Sequence, residues 1–142
     1  MNICEHIESA SAERSPFGRM LVTGFYDGPT DGFVECRHCG RAYAFRKLAW
    51  DDEQDVRIYG LAPLEQPLDS IRLEALKLPE SDDPVTVVPP LAEEQQRAVE
   101  RLAACPVHYV VAAVNLRRGI MAAKPLGQED VGERDWFSWL GL

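Results

Sequence analysis

Cys4 and His6 stand near the start of the chain, and Cys36 and Cys39 follow in Cys36-Arg37-His38-Cys39-Gly40. No other feature constrains the fold as strongly. Cys-x-His and Cys-x-x-Cys together offer three sulfurs and one imidazole, the donor set that closes a tetrahedral structural zinc site. A Cys-x-x-Cys pair reaches that geometry within one tight turn. Gly40, directly after it, permits the positive φ on which such a knuckle closes. Cys4 and His6 lie two positions apart, so an extended strand would present both side chains on one face. The chain between the pairs must then fold back on itself.

The intervening residues read that way. Met20 to Tyr26 is rich in β-branched and aromatic residues, Asp27-Gly28-Pro29-Thr30-Asp31-Gly32 is a turn cluster, and Phe33 to Cys36 is the return strand. Tyr43, Phe45 and Lys47 alternate with Ala42, Ala44, Arg46 and Leu48. Asp51-Asp52-Glu53 is a polar turn, and Val56 to Leu61 alternates again. Residues 20–62 are therefore expected to form a small antiparallel sheet bracketing the knuckle.

From Pro63 the texture changes. Leu68, Ile71, Leu73, Leu76 and Leu78 fit a strand or a short helix equally. Pro79 to Pro90 reads as a linker, with room for a short strand at Val85 to Val88. Leu91 to Ala104 predicts a helix, with Pro89 and Pro90 at its entrance, Glu93 and Glu94 at its positive end and Arg101 in its last turn. Leu91, Gln95, Ala98, Val99 and Leu102 make its mostly apolar face. Val107 to Val114 suits a buried strand, and Leu116 to Ala123 a helix or another strand. The chain ends in an aromatic tail, Trp136-Phe137-Ser138-Trp139-Leu140-Gly141-Leu142. The fold class expected is α+β. A zinc-stapled β unit over 1–62 and an α/β remainder over 63–142 would make one compact domain.

Fifteen basic against 23 acidic residues give a net charge of −8, which argues against general affinity for nucleic acids or anionic membranes. No apolar run approaches the roughly 20 residues that span a bilayer. Met1 to Ala10 carries Glu5 and Glu8 and lacks a basic leader, so a cytoplasmic location with thiols rather than disulfides is expected. Arginine far outnumbers lysine, a bias that suits a GC-rich bacterial genome.

The Cys4, His6, Cys36, Cys39 and Gly40 pattern resembles zinc-ribbon and related small zinc-finger proteins over residues 1 to about 50. The resemblance implies a structural metal on a β scaffold that serves to bind proteins or nucleic acids. The first knuckle departs from the commonest form, being Cys-x-His. A second pair, Cys105 and His108, competes with Cys4 and His6 for the same role, and packed or exposed cysteines without metal are a third reading. His38, between two ligands, reads as solvent-facing.

No catalytic constellation stands out. The chain has three histidines and no phosphate-loop glycine pattern, and Asp51-Asp52 and Asp82-Asp83 fall in turn-like contexts. Arg37, Arg41, Arg46 and Lys47 form one basic stretch. Arg101, Arg117, Arg118 and Lys124 form another, in a segment free of acids up to Gln128. Merged with Tyr43 and Phe45, they would bind a nucleic-acid backbone and stack bases. In the tail, Trp136, Phe137, Trp139, Leu140 and Leu142 call for burial, either on the chain's own domain or in a groove of a partner protein. The function expected is a non-catalytic, zinc-stabilised adaptor or inhibitor of the immunity type. A nucleic-acid-binding zinc-ribbon protein is the alternative.

Overall fold

A computed structural model describes residues 3–9, 14–127 and 132–142. The end of the acid-free stretch, at Gln128, and the acidic lead-in to the tail fall partly outside these residues. Four consecutive strands, β1 (Phe17–Phe25), β2 (Pro29–Cys36), β3 (Ala42–Asp51) and β4 (Val56–Pro63), form an antiparallel meander. Their alternation writes the two faces of the sheet. Tyr43 and Phe45 pack on one side with Phe17, Val34, Tyr59 and Leu61, while Ala42, Ala44, Phe33 and Ala62 pack on the other.

The meander is not a separate small sheet. Among the described residues, three further strands extend it to seven in the order β5-β1-β2-β3-β4-β6-β7. The strand β5 (Val85–Val87) lies inside the proline-rich crossing and pairs parallel with β1, so the sheet is mixed rather than purely antiparallel. At the other edge β6 (Tyr109–Ala113), whose five residues are all buried, pairs with β4 and then with β7 (Ala122–Pro125). The segment Leu116 to Ala123 thus resolves into a turn and the start of β7. Leu116 and Ile120 are buried on the Tyr43 side.

Short helices cover the sheet. The segment left open between strand and helix becomes α2 (Leu68–Ser70) running into a π-helical turn, Ile71–Ala75. Leu68, Ile71 and Leu76 sink into the Ala44 face. Arg72 is buried with them, 3% exposed, yet its guanidinium donates to Pro79 O at 3.1 Å and to Thr86 Oγ1 at 2.6 Å. The bond to Thr86 fastens the turn to β5, and the bonds together satisfy a group that would be costly to bury unpaired.

The helix α3 (Glu93–Ala103) crosses the same face. Its Gln95 side chain accepts the Ala92 N–H at 2.9 Å and donates to Leu76 O at 3.0 Å, so the helix start is tied to the end of the π turn. Leu91, Val99 and Leu102 pack on the sheet from there, as the apolar periodicity predicts. The tail forms α4 (Trp136–Trp139), capped by Asp135, whose side chain accepts from Ser138 N. Trp136 is buried against Ile58, Val110, Ala112 and Leu126. No helix among the described residues is long and apolar enough to cross a membrane.

Candidate metal centre

The α1 turn (Glu5–Glu8) caps the Tyr43 face at the N-terminal end of the described chain. Ile7, fully buried, anchors it in the core, and Cys4 O accepts the N–H groups of Ile7 at 3.1 Å and Glu8 at 3.4 Å. Cys4 and His6 are therefore placed by one turn of helix, not by the extended strand their spacing suggested. A β-extended Cys4 at the helix entrance and a helical His6 still turn toward the same point.

Cys36 closes β2, and the turn that follows carries Cys39. Gly40 N donates to Cys36 O at 2.9 Å and Cys36 N to Arg41 O at 2.8 Å, which folds the knuckle back into β3. Gly40 adopts φ +76°, the left-handed conformation anticipated for it.

The ligand atoms of Cys4, His6, Cys36 and Cys39 all lie within 4.8 Å of one another. A tetrahedron with bonds of about 2.3 Å has edges of about 3.8 Å. The Cys36 Sγ to His6 Nδ1 separation, 3.6 Å, is already such an edge. An inward shift on the order of 1 Å by the outermost atoms completes the shell. None of the cysteines is in a disulfide, and Cys4, His6, Cys36 and Cys39 are positioned to bind a metal ion.

Surrounding groups prepare the donors. Burial pushes the Cys4 thiol up, but hydrogen bonds from the Tyr43 hydroxyl, the Ile7 N–H, His6 and Cys36 outweigh it and bring it down to about 7. Burial dominates at Cys36 and pushes its thiol up to about 11, although the N–H groups of Cys39 and His38 favour its thiolate. A metal ion would displace that proton and so couple binding to pH.

Tyr43 is the partner that sequence reasoning missed. Its hydroxyl accepts the Cys4 N–H at 3.1 Å, while burial and Cys4 raise its own pKa. The available signal was a tyrosine on the inward-facing register of β3, whose hydroxyl needs a buried partner. His38 is exposed and stacks on the His6 ring at 4.8 Å between centroids, outside the ligand set.

The competing pair does not join the cluster. Cys105 packs on the opposite face of the sheet, with the group that includes Ala44 and Leu91, while Cys4 packs with Tyr43. The imagined aromatic platform for bases is not available either, because Tyr43 and Phe45 are 0% and 3% exposed. The Asp51 carboxylate is a turn group, accepting the Glu53 N–H at 3.0 Å. No known family model, curated protein or solved structure matches the chain.

Proposed function

We propose that the Cys4, His6, Cys36 and Cys39 cluster holds a structural zinc ion, and that the protein is a non-catalytic adaptor or inhibitor of the immunity type that binds another protein. The observation that carries the metal reading is the convergence of four ligands from two distant segments onto one point. Three thiolates and an imidazole form a soft, tetrahedral donor set that suits zinc. Four protein ligands fill the shell and leave no open position for a substrate or a reactive water, which favours a fold staple over a catalytic centre. The staple joins α1 to the β2–β3 turn, in the manner of a zinc ribbon.

The partner reading rests on surface chemistry. Phe25 and Tyr26 are 62% and 74% exposed at the tip of the β1–β2 hairpin, where side chains of that size gain by burial against another protein. The tail divides its residues. Trp136 belongs to the chain's own core, while Phe137, Trp139 and Leu140 are half-buried and Leu142 is exposed. A net charge of −8 favours a basic partner.

Affinity purification of the tagged chain from its native host, with mass spectrometry, tests the reading. A stoichiometric basic protein, lost in a Phe25→Ser/Tyr26→Ser variant that keeps its metal, is the expected result. Nucleic acid as the sole co-purifying species would sink it.

One observation supports the nucleic-acid alternative. Arg37 packs its Cβ 3.2 Å from the point where a Gly18 Cβ would stand, and Arg117 Nε donates to Gly18 O at 3.0 Å. One arginine from each basic stretch thus lies against Gly18. A gel shift that weakens with salt is its signature.

A further inference from the structure

On the helix-covered face, α3 stands off the centre of the sheet and leaves a cleft of about 340 Å³. Residue size creates it. Ala44 pairs with Ala62 and Arg46 with Gly60 across β3 and β4, so little side-chain volume rises from the floor. Gly60 cannot be enlarged, because the Val107 methyl groups lie 2.8 and 2.9 Å from where its Cβ would stand. The helix faces this floor with Val99 and Ala103. A helix packed on a sheet ordinarily fills such a space with large aliphatic side chains.

The cleft combines an apolar floor with a charged rim. Phe33, Ala44 and Ala62 are buried beneath it, while Asp31, Arg46 and Glu100 stand at its edge. Asp31 and Arg46 are cross-strand partners, a placement in which opposite charges usually pair. Among the described residues, no ion pair joins Arg46 to Asp31 or to Glu100. Arg46 and Val107 also line a second cavity, of about 260 Å³, that reaches Trp136.

We propose that this cleft binds a small zwitterion with an apolar body, of the class of the free aromatic and branched aliphatic α-amino acids. The ligand's carboxylate meets Arg46, its ammonium group meets Asp31 and Glu100, and its side chain lies on the alanine floor beneath α3. Charge selects this class over its neighbours. A plain carboxylate would answer Arg46 but meet two acids, and a plain amine would leave the guanidinium unserved. The volume lies at the small end of ligand pockets, and the cleft is open on one side, so affinity in the range of about 0.1–1 mM is expected.

Titration of the full chain with L-phenylalanine and L-leucine, followed by amide NMR shifts, tests the proposal. Saturable shifts centred on Ala44, Ala62 and Val99 are expected. In the unmodified protein, 3-phenylpropionate and phenethylamine, which each lack one charge, should bind at least about tenfold more weakly than phenylalanine. Arg46→Ala should weaken amino-acid binding by at least about tenfold. Ala103→Phe, which fills the cleft from the helix side and leaves the three charges in place, should abolish it. Lack of saturation by both amino acids at about 10 mM, equal binding of phenylalanine and 3-phenylpropionate, or an unchanged affinity in Arg46→Ala would each overturn the assignment.

Discussion

Tyr43 is the residue on which core and metal centre depend together. Its ring is fully buried against Phe17 and its hydroxyl accepts from Cys4 at 3.1 Å. Tyr43→Phe keeps the ring and leaves the Cys4 N–H without its acceptor. It should cost about 1–3 kcal/mol of stability and lower metal affinity by roughly 10-fold or more, read by denaturant melts and chelator competition. The buried tyrosines also set an alkaline limit. Burial pushes Tyr59 up to about 12 from its ordinary 10.0 and raises Tyr109 as well. A folded-state pKa above the unfolded value means that the unfolded chain loses its proton first. The stability these groups contribute is complete below pH 10 and is lost as pH rises toward 12. Chemical melts at stepped pH should show it, and flat stability over that window would contradict the assignment.

At the scale of elements, α4 is the clearest case of a short segment held by tertiary packing. A four-residue helix has no stability of its own. Trp136 holds it in place over Ile58 and Val110, helped by an edge-on Trp139 ring at 5.6 Å and by Lys124 4.5 Å above that ring. Trp136→Ala should destabilise by about 3–5 kcal/mol, whereas Leu142→Ala, at an exposed position, should shift the melt little.

The same dependence on packing explains which elements could be read from residues alone. The meander β1–β4 was legible because period-2 alternation and turn clusters are local signals, and the four proposed ligands indeed come together. The turn at Cys4–His6 was not, since its helical form depends on burying Ile7. The π turn hid behind Arg72, a charged residue whose burial rests on Thr86 from a distant strand. A short strand within Val85–Val88 is legible from its β-branched residues, but its parallel pairing with β1 leaves no local signal. Residue type and spacing point to Cys4 and His6 as a ligand pair, although their backbone is a helical turn and not an extended strand.

Across the whole molecule, the sheet is continuous from β5 to β7 and carries a layer on each face. The proposed metal lies on the Tyr43 face, against the end of the β2–β3 hairpin. The amino-acid cleft lies on the other face, under α3. Phe33 and Val34 are successive residues of β2 that serve these two faces, so the strand that Cys36 closes contributes to both. Structural zinc sites contribute apparent free energies of roughly 10–16 kcal/mol, as much as an entire domain's net stability. Loss of the ion should therefore unfold at least the β1–β4 region.

The most direct measurement is elemental analysis with X-ray absorption on protein purified without chelators. About one zinc per chain is expected, with three sulfurs near 2.3 Å and one nitrogen near 2.0–2.1 Å, lost in Cys39→Ala and kept in Cys105→Ala. Less than about half a zinc per chain, or zinc retained at full occupancy in Cys39→Ala, would contradict it.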